Sequence, residues 1–169
     1  DMQITLDHHL QNFMRIRLEG QSAAAIVMDV TNGDLLGCTS APSFDPNLFV
    51  RGISGRDYGA LRDSEFRPLS DKSVQGAYPP GSTIKMFTIA AGLSAGVITA
   101  DQKLFCEKGM MPVDNVVIRD THPSGWLTVA QVLAISSNIC SAKVGLGLGG
   151  DKLYETLLRF GFGQESGVP

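Results

Sequence analysis

Tyr78-Pro79-Pro80-Gly81-Ser82-Thr83-Ile84-Lys85, running on through Met86-Phe87-Thr88-Ile89-Ala90-Ala91-Gly92-Leu93-Ser94-Ala95, is the stretch on which the reading of this chain turns. Two prolines and a glycine interrupt whatever precedes them. Thr83 to Ala95 then reads as a helix, with Gly96 as its stop. Ile84, Phe87, Ile89, Ala90, Ala91 and Leu93 give it a broad apolar surface, and Lys85 is its one charge. A surface helix would carry more charge, so this one is expected to be central and buried. A lysine there is costly without a partner or a task. Ser82 stands three residues before it, at the helix start. Positions i and i+3 share a helix face, so the hydroxyl and the amine can approach. Serine is a poor nucleophile until a base removes its proton, and a lysine whose pKa is lowered by burial can do that. The free N–H groups and positive dipole end of a helix start favour an alkoxide or oxyanion. A plainer alternative stays open: Ser82 as an N-cap, with Lys85 extending its amine to solvent.

C-terminal to this helix, residues 104–126 suggest short extended segments and turns, including Val116-Val117-Ile118. Thr128 to Ile135 is a second apolar helix. Ser136-Ser137-Asn138 interrupts it, and Ile139 to Leu148 resumes as a third helix, weakened by Gly145 and Gly147. In an extended turn, positions i and i+2 face one way. Ser136 can then act as a proton relay and Asn138 as a hydrogen-bonding anchor for the lysine or a substrate. The triplet also suits an N-cap for the helix from Ile139. Leu153 to Phe160 is a fourth helix, and residues 161–169 read as a loop.

N-terminal to Tyr78, residues 4–19 read as an amphipathic helix with Leu6, Leu10, Phe13, Met14 and Leu18 at three- and four-residue steps. Thr5 or Asp7 can cap it. His8 and His9 are neighbours about 100° apart on a helix and read as surface residues. Residues 23–30 look like a strand, Asn32-Gly33 is a hairpin signal, and Leu35 to Thr39 is the return. Residues 48–78 lack periodicity and read as a long excursion with short helical pieces.

The chain has 169 residues, 43% hydrophobic and 18% charged. That supports a real core and rules out wholesale disorder. Net charge is −3, so no basic face points to nucleic acid or anionic membrane. Met86 to Ala100 is too short to span a bilayer. Asp1-Met2-Gln3-Ile4 carries no cationic signal-peptide region. Cys38, Cys106 and Cys140 have no zinc or thioredoxin spacing and read as small buried residues, with a disulfide between two of them left open. The glycines from Gly145 to Gly150 follow a helix, not a strand, so they are not read as a phosphate cradle. His122 reads as structural and Trp126 as a packing anchor. Asp120-Thr121 has no second acid at a useful spacing for a carboxylate pair.

The sequence resembles the transpeptidase domain of a class B penicillin-binding protein. The phrases that carry the likeness are Pro42-Ser43-Phe44-Asp45-Pro46-Asn47, Tyr78 to Lys85, Leu127-Thr128-Val129 through Ser136-Ser137-Asn138-Ile139, and Arg159-Phe160-Gly161-Phe162-Gly163. Residues 1–98 resemble elongation-type enzymes and residues 115–163 division-type ones. The family's third motif, Lys-Thr-Gly or Lys-Ser-Gly, does not occur in this chain. The resemblance thus implies that residues 1–169 are the N-terminal part of a single transpeptidase domain: helix 4–19, β-hairpin 23–39 and helical part 83–163. The fold it implies is α/β, of the penicillin-binding and serine β-lactamase-like type. An antiparallel sheet has flanking helices and a helical subdomain, and its C-terminal strands are absent from this chain.

The resemblance implies a peptidoglycan D,D-transpeptidase that works through a serine acyl-enzyme. Ser82 would attack a D-Ala-D-Ala stem peptide, Lys85 would be the base, Ser136 would pass a proton to the leaving amine, and Asn138 would hold Lys85 and the peptide. β-Lactam antibiotics would acylate Ser82. No metal or cofactor is implied. Expected partners are peptidoglycan stem peptides, the C-terminal part of the same domain and a membrane glycosyltransferase of the division or elongation machinery. The expected location is the periplasmic face of the bacterial inner membrane, with the anchor outside this chain. The alternatives are a β-lactam sensor that acylates without turnover, a serine β-lactamase, for which no water-activating carboxylate is evident, and an inactive segment.

Overall fold

The structure, a computed structural model, describes residues 3–165 and 167. Asp1 and Met2 of the opening, and Ser166, Val168 and Pro169 of the expected closing loop, lie outside the described residues. The chain divides into two compact units, one ending at Tyr78 and one beginning at Pro79.

The first unit opens with α1 (His8–Arg17), shorter than the helix expected over 4–19. Asp7 sets its start by accepting from the Leu10 N–H. Thr5 bonds instead to the Leu35 carbonyl. β1 (Ala23–Met28) and β2 (Leu35–Ala41) pair antiparallel, with Ala23 opposite Ala41 and an irregularity at Val27/Met28. The connecting turn holds Asn32-Gly33 but is longer than a two-residue hairpin loop; the Asp29 carboxylate organises it by accepting from Thr31. α1 lies on β2, with Met14 buried against Gly37. The Gln11 amide both donates to the Cys38 carbonyl and accepts from the Cys38 N–H, which occupies polar groups on the outer edge of β2. Within 48–78 only α2 (Asn47–Val50) and α3 (Gly55–Arg62) are helical.

The second unit begins with a 3-10 turn (Gly81–Thr83) and α4 (Ile84–Ser94). It continues through β3 (Lys103–Phe105), β4 (Met110–Val113), β5 (Val116–Arg119) and β6 (Trp126–Thr128). It closes with α5 (Val129–Ala134), α6 (Asn138–Leu148) and α7 (Gly150–Arg159). β3 pairs antiparallel with β6, and β4 with β5. Ile89 and Ala91 of α4, Val129 and Val132 of α5, and Ile139, Val144 and Leu148 of α6 form the core. α4 and α6 pack tightly at Gly92. A Cβ there would lie 2.5 Å from Val144 Cγ1, so only glycine fits without a shift. Phe87 makes edge-to-face contacts with Phe160 and Phe162, docking the chain around α7 onto α4.

The structure refines three sequence expectations. α4 is not buried all round, since Met86 and Leu93 are exposed. Trp126 does pack its ring on Phe105, with centroids 5.3 Å apart, but it does so at the surface, 67% exposed. In a three-residue strand alternate side chains face opposite ways, and it is Leu127 that packs on the core. The cysteines are not three equivalent buried thiols either. Cys106 and Cys140 form a disulfide, and Cys38 is a half-buried free thiol. No described helix is long and apolar enough to cross a membrane.

Candidate active site

The four residues singled out in the sequence all fall in the second unit. Pro79 and Pro80 exclude a regular helix before Gly81, whose φ of 55° turns the chain into the 3-10 turn. Ser82 is exposed in that turn and is not a helix N-cap: α4 starts one residue later than expected, and its N-cap is Thr83. Lys85, on the first turn of α4, is buried at 9% exposure and does not extend to solvent. Its Nζ donates to the Ser136 carbonyl at 2.6 Å, to Ser136 Oγ at 2.9 Å and to Asn138 Oδ1 at 2.5 Å. Among the described residues no hydrogen bond joins Lys85 to Ser82, because the amine is drawn toward these three oxygens.

The turn that supplies them is a helix-stop and helix-start in one. At the end of α5, Ser137 N–H bonds to the Val132 carbonyl and Ser136 N–H to the Leu133 carbonyl, the two bonds of a Schellman motif. The residue after the C-cap must then be left-handed. Ser136 takes that conformation, with φ 57°, where glycine is the usual choice. α6 follows at once. Ser137 is its N-cap, so the capping role sought within the triplet falls on the middle residue: its Oγ accepts from Cys140 N–H. Ser136 and Asn138 are left free to face Lys85. The Asn138 Nδ2 donates to the Arg119 carbonyl at 2.7 Å, which turns Oδ1 toward the lysine.

Burial pushes the Lys85 ammonium below the ordinary lysine range, and the Asp120 carboxylate partly opposes this. The acceptor set suits both protonation states. The Ser136 carbonyl and Asn138 Oδ1 can only accept, so they hold two N–H bonds in either state. The Ser136 hydroxyl can accept a third N–H from the ammonium or donate to the lone pair of the neutral amine. That is the property a proton relay requires.

Asp120 is the residue the sequence reading passed over. It follows β5 directly and lies at the start of α6. It accepts from Ser137 Oγ at 2.7 Å, from Asn138 N–H at 2.5 Å and from Ile139 N–H at 3.1 Å. It leaves no local signature in the sequence, because its partners are hydroxyl and backbone groups 17 to 19 residues away. His122 bonds to Ser124 only through its backbone carbonyl, and among the described residues no group of His, Cys, Asp and Glu is arranged to hold a metal.

The chain has clear relatives among known proteins. The family described as penicillin binding protein transpeptidase domain matches residues 23–169. The chain is 39% identical over 172 residues to the peptidoglycan D,D-transpeptidase MrdA of Escherichia coli K12, covering 99% of this chain and 27% of that protein. The crystal structure of Pseudomonas aeruginosa PBP2 in complex with WCK 5153 matches with a TM-score of 0.89 at 37% identity, over 96% of this chain and 36% of that one. The penicillin-binding protein PBP2 of Helicobacter pylori, solved in complex with MreC, matches with a TM-score of 0.89 at 31% identity, over 96% of this chain and 31% of that one. The chain therefore spans about a third or less of the length of these relatives. The motif turn, the lysine cluster and these matches lead to one conclusion: the chain belongs to the class B penicillin-binding protein transpeptidase domains.

Proposed function

We propose that this chain is the N-terminal part of a peptidoglycan D,D-transpeptidase domain, with Ser82 as nucleophile and Lys85 as general base. The observation that carries the reading is the buried Lys85 amine held by Ser136 and Asn138, three residues after an exposed serine at a helix start. Ser82 Oγ attacks the carbonyl between the two D-alanines of a stem peptide while its proton passes to Lys85. The backbone N–H of Ser82 donates to the oxyanion. The C–N bond breaks, and the leaving D-alanine amine takes the proton by way of Ser136. An amine of a second stem peptide attacks the ester, its proton returns through Lys85 to Ser82 Oγ, and the cross-link forms. β-Lactams enter the same path and remain as the acyl-enzyme. The matching relatives, one of them solved with MreC, favour a place in wall synthesis at the periplasmic face of the inner membrane.

A fluorescent penicillin tests this in the protein carrying its whole transpeptidase domain. Label should appear on a peptide containing Ser82 by mass spectrometry, and Ser82→Ala should abolish it. Labelling that persists in Ser82→Ala overturns the assignment.

A further inference from the structure

We propose that Asp120 is a positioning residue of this centre, fixing the 136–138 turn so that its oxygens converge on the Lys85 amine. The inference rests on the transpeptidase reading above and adds to it a residue that does not face the substrate-attacking hydroxyl.

The start of a helix leaves its first N–H groups without intrahelical acceptors. In α6 the supply is divided between two side chains. Ser137 Oγ takes the Cys140 N–H, while Asp120 takes the N–H groups of Asn138 and Ile139. The Ser137 hydroxyl, already accepting from Cys140, donates its own proton to Asp120 Oδ2. One carboxylate thus holds the backbone of Asn138, the backbone of Ile139 and the side chain of Ser137 at once. The next residue back, Arg119, offers its carbonyl to Asn138 Nδ2. The end of β5 therefore grips both the backbone and the amide of Asn138, whose Oδ1 accepts from Lys85. Asp120 is itself fixed, since its N–H donates to the Gly109 carbonyl. Its negative charge lies at the positive end of the α6 dipole, where it is stabilised.

The grip matters because the turn is strained. Ser136 sits in the left-handed region without glycine's freedom, and residues in such conformations persist only when their surroundings over-determine them. Asp120 supplies that constraint through Ser137 Oγ and the N–H groups of Asn138 and Ile139. Charge links the two as well: Asp120 favours the ammonium, against the burial that disfavours it. Few other groups act on Lys85. The 3-10 turn and α5 bring no titratable side chain. Lys143 of α6 is engaged by Glu107 and the Phe105 carbonyl, and Asp151, Lys152, Tyr154, Glu155 and Arg159 of α7 are exposed.

The test is the rate of penicillin acylation against pH, in the protein with its whole transpeptidase domain, for wild type, Asp120→Asn and Asp120→Glu, with thermal midpoints measured alongside. Asp120→Asn should lower the rate about 10²-fold, as expected for a small misplacement of reacting groups. Its acid limb should also move to lower pH, because removing the negative charge lets Lys85 lose its proton more easily. Asp120→Glu, which keeps the charge but moves the carboxylate, should lose rate with the limb in place; it carries the test if the Asn variant does not fold. A wild-type rate in either variant overturns the proposal. So does a loss in Asp120→Asn that follows its thermal midpoint with an unmoved limb. If Ser82→Ala still labels, it is the transpeptidase reading that fails. If Ser82→Ala is silent and Asp120→Asn is unchanged, only the role of Asp120 fails.

Discussion

Ser136 stands where a helix stop ordinarily places glycine, and it offers both its carbonyl and its hydroxyl to Lys85. A left-handed conformation costs an L-residue roughly 1–2 kcal/mol. The serine is therefore kept for its oxygen at the expense of local stability. This can be separated experimentally. Ser136→Ala removes the hydroxyl and keeps the strain, whereas Ser136→Gly removes both. The glycine variant should be the more stable of the two by about 1 kcal/mol, the reverse of the order of alanine and glycine inside a helix. Both should acylate slowly. Denaturant unfolding gives the first result and penicillin labelling the second. Alanine proving the more stable would mean that the turn is not left-handed in solution. At this scale the sequence already pointed to the meeting of Lys85 with Ser136 and Asn138, because each of the two motifs is local. It did not point to Asp120, since a carboxylate that caps a helix from another strand leaves no spacing to find.

The helices were legible because their apolar residues recur on one side and turn residues bound them. Their ends were less so. Ser82 falls in a 3-10 turn because Gly81 adopts a positive φ, which its neighbours do not announce. Strands β3 and β6 have three residues each, too few for any alternation to register, and their pairing depends on the fold around them. One close contact does have a sequence origin: Gly92 lies in the middle of α4, where glycine weakens a helix. Alanine would improve helix propensity by about 1 kcal/mol. It would also put a methyl group into Val144 and Ile98, an overpacking that costs roughly 1–3 kcal/mol. Packing should win, so Gly92→Ala should lower the thermal midpoint, and Gly92→Val should lower it further. An unchanged or raised midpoint for both would show that α4 and α6 can separate freely there. The substitution also shifts the helix that carries Lys85, so acylation should slow in the folded variant.

For the molecule as a whole, β1 pairs only with β2 among the described residues, and Ile26, Val27 and Met28 are exposed along it. An apolar strand with a free edge invites pairing with another chain. The 169-residue chain on its own should therefore associate in size-exclusion chromatography. It should take up penicillin far more slowly than the whole domain, since a second oxyanion donor and a cation for the substrate carboxylate would come from the third motif. Stoichiometric penicilloylation of a monomeric 169-residue chain would overturn this. The doubly supplied start of α6 has a consequence of another kind. Helix ends ordinarily fray on fast timescales and exchange their amide hydrogens first. In α6 the amides of Asn138, Ile139 and Cys140 all have side-chain acceptors, while the far end runs through Gly145 and Gly147. Local opening should thus begin at the glycine end, and the turn that holds Lys85 should be the last part of the helix to loosen.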